Sequence, residues 1–321
     1  MANTLTGLYP AIFDALTIVN REAAGFASAV SKDSSADRVA LGQAVTVPIA
    51  GASTSFSVTP SMAKPTPADQ VVTNAQITLS KSKGANFNWT GEETLGMQVT
   101  GNYNDITTQS IAQAIRVLVN EMENDIGSLI AGASRAVGVS GTTPFASDHD
   151  LIIDAGKILT DNGAPLTDRN LVMNTAAGSN LRKLVTLNSV NTSGDSDLLR
   201  RGILGDLDGF ALRESAGVNT TVAGTGTGYL VNNAGPYALT ITTAFAGNVA
   251  FHRNALQIIT RAPALPAGGD EASDRMQVVD PVTGIVFEFS EYKGYKMSTF
   301  EVALAWGFGS IDSNKIAVIK G

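Results

Sequence analysis

Between Asn104 and about Ala133 the apolar residues Ile111, Ile115, Leu118, Met122, Ile126 and Leu129 recur at intervals of three and four. That spacing draws one stripe down a single helix. Asn104 or Asp105 stands where a cap is needed. At ~1.5 Å per residue, about 28 residues make a rod about 40 Å long, against the three turns of an average globular helix. A rod with one apolar edge needs a body along its whole length. Glu121, Glu123 and Asp125 fall off the stripe and read as a solvated face.

Shorter patterns surround the rod. Leu8, Ile12, Leu16, Val19, Ala23 and Phe26 predict an amphipathic helix with Pro10 near its start, broken at Lys32-Asp33-Ser34-Ser35. From about Val39 to Trp89 the period changes to two: Val45, Val47 and Ile49, then Phe56 and Val58, Ile77 and Leu79, Phe87 and Trp89. Pro60, Pro65 and Pro67 lie between the runs. This predicts a long β excursion with a proline-rich tip, and a lone hairpin buries too little to stand in water. Its apolar face needs cover, expected from another subunit. Helices are predicted over Leu151–Thr160, stopped by Asn162-Gly163 and Pro165, and over Ala176–Leu187. Short strands follow at Leu171-Val172-Met173 and Gly209–Arg213. Met276–Val279 and Ile285–Phe289 flank the turn Asp280–Gly284, an antiparallel hairpin. Lys296–Trp306 and Lys315–Ile319 close the chain as strands.

Composition excludes most chemistry. The 321 residues contain no cysteine and only two histidines, His149 and His252. Disulfides, thiolate sites and a multi-histidine metal cage are therefore absent. Acidic residues outnumber basic ones, 29 to 22, so the chain has no overall basic footprint for gripping phosphates. Charged residues are only 16%, which leaves much neutral surface for neighbours to cover. No apolar run is long enough for a spanning helix, and Ser215–Phe251, which has no charged residue, is interrupted by glycines and a proline. Gly224-Thr225-Gly226-Thr227-Gly228 lacks the Lys-Ser/Thr of a P-loop and reads as a turn. Asp148-His149-Asp150 lacks the spacing of a metal site, and His252 reads as structural. Asp270, Glu271 and Asp274 read as a solvated acidic loop without EF-hand spacing. No catalytic, cofactor-binding or metal-binding residue is assigned, and no cofactor is expected.

In order along the chain, Met1–Tyr9 (MANTLTGLY), Arg116–Arg135 (RVLVNEMENDIGSLIAGASR) and Asp161–Thr167 (DNGAPLT) are followed by Gly209–Ser215 (GFALRES), Ala250–Gly269 (AFHRNALQIITRAPALPAGG) and Tyr295–Gly307 (YKMSTFEVALAWG). In these segments the chain resembles the major capsid (coat) proteins of tailed bacteriophages, more narrowly the P-twenty-two-type coat family with the Hong Kong 97-type capsid fold. The resemblance implies an α+β fold with residues 1–35 as N-terminal arm and 36–100 as extended loop. It implies a peripheral domain of 101–135 and 270–300, built on a spine helix packed through Ile111, Ile115, Leu118, Met122, Ile126 and Leu129. It places 136–269 and 301–321 in an axial domain. Many relatives insert a β-barrel in the stretch corresponding to Gly224–Asn248, which is short here.

The implied function is a structural one: many copies, in pentamers and hexamers, closing an icosahedral shell around double-stranded DNA without sequence-specific binding. Phe56, Val58, Ile77, Leu79, Phe87 and Trp89 are the expected subunit-interface residues, and Gly91 and Gly96 the expected hinges. The implied partners are further copies of the chain, a separate scaffolding protein (no N-terminal segment reads as a removable scaffold), a portal protein and a decoration protein. No membrane is implied. The implied location is the virion, assembled in the bacterial host cytoplasm. The residues by themselves leave open another self-assembling structural protein, such as a tail-tube or surface-layer subunit, and a hydrolase with an unrecognised site.

Overall fold

A computed structural model describes residues 25–51, 55–60, 71–100, 103–129, 135–139, 141–184, 205–215, 247–280 and 283–321, with single positions at 12, 14, 15, 69, 133, 187, 217 and 218. The expected N-terminal stripe at Leu8, Leu16, Val19 and Ala23 lies outside the described residues. So do most of the proline-rich tip, the Gly224–Gly228 turn and nearly all of the stretch where relatives carry a barrel. Among the described residues no helix is long and apolar enough to cross a membrane.

In chain order the described elements begin with helix α1 (Gly25–Ala29) and strands β1 (Ser31–Val39), β2 (Ala44–Ala50), β3 (Val72–Thr78) and β4 (Lys81–Thr90). Helices α2 (Gly91–Thr100) and α3 (Tyr103–Gly127), then strand β5 (Arg135–Val137), follow. Next come α4 (Asp150–Asp161), β6 (Arg169–Met173), α5 (Thr175–Lys183), β7 (Asp206–Leu207) and β8 (Phe210–Glu214). The remainder is β: β9 (Gly247–His252), β10 (Leu256–Pro263), β11 (Asp274–Val279), β12 (Val286–Gly294), β13 (Met297–Ser310) and β14 (Ile316–Lys320).

The long helix α3 has 25 residues, and its stripe from Ile111 to Ile126 is buried, with Leu129 packed beside it. The body it lies against is a sheet organised by β13. That strand pairs antiparallel with β12 over 297–303, with β10 over 305–310 and with β4 along 297–306. β11 extends the sheet beyond β12, and β1 pairs parallel to β10. The hairpin β11–β12 turns at Asp280–Gly284, where Asp280 accepts hydrogen bonds from Thr283 and Gly284 takes a φ of 72°.

A second sheet, in the order β5-β14-β9-β6-β8-β7, is covered by α4 and α5. Its inner strands β14, β9 and β6 are buried on both faces, whereas β8 and β7 toward one edge are partly exposed. Leu171 and Met173 face the core shared with Ile152, Ile158 and Leu181, while Val172, Val249 and Val318 face the core under α3. One strand set thus serves two cores and joins the two sheets into a single body. Asn162-Gly163 ends α4 as expected: Asn162 N–H closes onto Ile158 O and Gly163 has φ 79°.

Lys32–Ser35 lies past the end of the helical pattern, as expected: α1 stops at Ala29 and the chain continues as a strand. The segment lies in β1, a polar strand held by the Arg38–Glu288 ion pair, by Arg261–Asp33 at 2.9 Å and by Lys32 Nζ donating to Thr283 O at 2.6 Å. Long-range pairing supplies what local propensity lacks. Within the stretch expected as the extended loop, 36–100, β4 pairs with β13 in the larger sheet, whereas β2 and β3 form a separate two-stranded ribbon. β10 and the whole 14-residue strand β13 sit in the same α3-side sheet as β11 and β12.

Candidate assembly surface

The ribbon β2–β3 pairs Ala44 with Thr78 through Ala50 with Val72. Its base crosses the outer sheet: Ile77 and Leu79 are buried against Val39, Ile259 and Ala305. Leu79 N donates to Gln43 O, and Gly42 N to Leu79 O, both at 2.9 Å. Gly307 and Gly309 on β13 make room for this crossing. A Cβ on Gly307 would collide with the Thr78 carbonyl and stand 3.0 Å from Leu79 Cα, and one on Gly309 would stand 3.0 Å from Ile77 Cγ1.

Away from the crossing the ribbon loses its cover. Phe56 is 67% exposed and Val58 86%. Val71 and Val72, at the start of β3, are exposed as well. Among the described residues nothing covers these apolar side chains, and an exposed apolar patch of this kind marks a surface for another chain. A further exposed apolar pair, Leu95 and Val99, lies on α2, four residues apart and so on one helical face. Sequence reading missed this pair, although its i,i+4 spacing was visible.

The six expected interface residues therefore separate. Phe56 and Val58 are exposed in the unpaired stretch 55–60, outside β2 and β3. Ile77 and Leu79 are buried within the chain. Phe87 and Trp89 sit on β4, where they form an aromatic cluster with Phe300 and Tyr103 at centroid separations of 5.2–5.8 Å. Both side chains are half-buried, packed in part against the core under α3. Gly91 and Gly96 both lie within α2. Gly91 N donates to Lys296 O at 2.9 Å, and neither glycine has a positive φ.

The three carboxylates on α3 are not a solvated face. Glu123 is 1% exposed and accepts from Phe26 N at 2.9 Å, Ala27 N at 2.6 Å and Ser215 Oγ at 2.7 Å. It thereby ties the first turn of α1 and the end of β8 to the long helix. Burial pushes its carboxyl above the usual range, while those hydrogen bonds pull it back. Asp125 accepts from Trp306 Nε1 and from Lys81, each at 2.8 Å. Lys81 also donates to Glu121 at 3.0 Å, and that bond holds the Glu121 carboxyl low. A carboxylate beside an apolar stripe gives no sequence sign of which neighbours will reach it.

Among the described residues no group of three or more metal-ligating side chains converges. His149 Nε2 lies 4.0 Å from Asp208 and Nδ1 of His252 accepts from Asn254 N, which makes both structural contacts. Asp270 is not simply solvated: it accepts from Arg275 and, at 2.9 Å, from Tyr292 Oη.

No protein-family model matches the chain, and no curated protein matches it in sequence. Solved structures do match. The capsid of cyanophage P-SCSP1u aligns at a TM-score of 0.58 and 15% identity, over 92% of this chain and 87% of that one. The mature capsid asymmetric unit of bacteriophage PhiM1 aligns at 0.53 and 14%, over 91% and 85%. A structure of Mycobacterium phage Che8 aligns at 0.52 and 16%, over 87% and 84%. With a long helix against a β13-centred sheet, a second sheet under two helices and a projecting ribbon, the chain has the α+β Hong Kong 97-type fold of tailed-phage capsid subunits.

Proposed function

We propose that this chain is the major capsid protein of a tailed bacteriophage and assembles with copies of itself, as pentamers and hexamers, into the icosahedral shell around double-stranded DNA. The observation that carries the reading is that a chain with this fold leaves large apolar residues exposed on and next to its β2–β3 ribbon, Phe56, Val58, Val71 and Val72 foremost. A neighbouring copy would supply the missing layer, and closed rings of identical contacts let a shell end instead of growing without limit. Obligate contacts of this kind bury ~2,000 Å² or more, and an aromatic such as Phe56 is a suitable anchor. Net acidity suits a container that must release its DNA. The role is structural and not catalytic, located in the virion. A scaffolding protein, a portal and a decoration protein complete the proposed partners, and assembly is placed in the host cytoplasm.

Negative-stain imaging of the purified chain, with and without its scaffolding partner, tests this. Closed shells are expected from the wild type and unassembled protein from a Phe56→Asp/Val58→Asp variant. Tubes or flat sheets would favour a tail-tube or surface-layer subunit.

A further inference from the structure

A groove runs along the junction of the two sheets, where β1, β8 and the short turn after β9 meet. One stretch of about 340 Å³ is lined by Ser28, Asp168, Asp206, Arg213 and Arg253, among others. The adjoining stretch, about 540 Å³, is lined by Ser31, Lys32, Asn254 and again Asp168 and Arg253. Three cations from three elements converge here: Lys32, Arg213 and Arg253. Lys32 donates to Thr283 O, and Arg213 Nη1 donates to Ser28 Oγ at 2.9 Å. The Arg213 Nε is buried with no hydrogen-bond partner. Among the described residues the Arg253 guanidinium has neither a hydrogen bond nor an ion pair, and none of the three cations is paired with a carboxylate. Their crowding registers on Lys32, whose pKa is lowered by burial and then by Arg253 and Arg213. Arg169, beside them, is satisfied by the carbonyls of Gly156, Ala164 and Pro165. The turn that presents Arg253 hangs from Asp168, a residue with φ of 54° whose carbonyl accepts Arg253 N at 3.0 Å. A left-handed non-glycine residue is strained and clusters at functional sites.

We propose that this groove binds a phosphate group, held by Arg253, Arg213 and Lys32 and clamping the two sheets together. Two guanidinium forks, an ammonium and nearby serine hydroxyls offer more donors than a carboxylate's two oxygens take up, and suit a tetrahedral oxyanion. Asp168 and Asp206 on the walls would repel the next phosphates of an extended polyanion. The site therefore favours a free phosphate over a nucleic-acid backbone.

The test uses the full-length, unassembled chain and inorganic phosphate, with ionic strength held constant by chloride. The melting temperature is expected to rise with phosphate concentration, as for any ligand of the folded state. Arg253→Gln is expected to melt like wild type in chloride, since that side chain holds nothing else. Its phosphate response should be displaced at least tenfold in concentration. A response unchanged in Arg253→Gln, or reproduced by chloride alone, overturns the proposal. A short DNA duplex is expected not to compete with phosphate. Competition that depends on Arg253 would assign the bound group to a nucleic-acid backbone and overturn the free-phosphate source.

Discussion

At the residue scale, stability concentrates in a few polar side chains that join elements far apart in sequence. Glu123 is the clearest. Removing its carboxylate strands two buried N–H groups, Phe26 and Ala27, and the Ser215 hydroxyl. Leaving a buried donor unsatisfied costs about 1–3 kcal/mol, so Glu123→Ala should lose about 3 kcal/mol or more in urea unfolding. Glu123→Gln, which keeps one acceptor oxygen, should lose less. Asp270 supplies a pH dependence. The hydrogen bond from Arg275, with further ones from Tyr292 and Ala272 N, lowers its pKa from 3.8 to about 2. The folded state thus binds this proton less readily than the unfolded chain. The stabilisation is full above the unfolded value and is lost as pH falls through about 2. Unfolding curves taken down this range should show that acid limb in the wild type and a flatter one in Asp270→Asn.

At the element scale, the ribbon and α2 present opposite uses of glycine. Gly307 lies under the ribbon crossing, where any side chain meets the backbone of Thr78 and Leu79. That backbone is pinned by the buried Leu79 and its bonds to Gln43 and Gly42. Overpacking of this sort costs about 1–3 kcal/mol, and Gly307→Ala should lower thermal stability accordingly. Around Gly96 a Cβ would meet only open space. Inside a helix, exchanging glycine for alanine gains about 1 kcal/mol. Gly96→Ala should therefore raise the melting temperature and leave assembly intact. A variant that is stable yet fails to close shells would restore the hinge role expected for this glycine.

At the scale of the whole molecule, folding and assembly draw on different surfaces. Both large cores lie in the body, and neither includes a described residue between 51 and 71. Replacing residues 52–70 by a short turn should therefore leave the melting temperature of the isolated chain unchanged while abolishing shells under electron microscopy. A large drop in melting temperature would mean that the extension stabilises its own subunit.

The long helix, the hairpin at Asp280–Gly284, the end of α4 and the absence of cysteine chemistry were all legible in the residues. Each depends on local spacing, a turn residue or a missing atom type. Phe56 and Val58 were legible as apolar, and Phe87 and Trp89 equally so. Only the pairing of β4 with β13, across more than 200 residues of chain, decided that the second pair packs in part on the chain's own core while the first stays exposed. The same holds for Glu123, which reads like any helix-surface acid until α1 and β8 arrive beside it. Periodicity reports which side of an element is apolar. Which neighbour covers that side is set by long-range strand pairing, and a one-dimensional pattern carries no record of it.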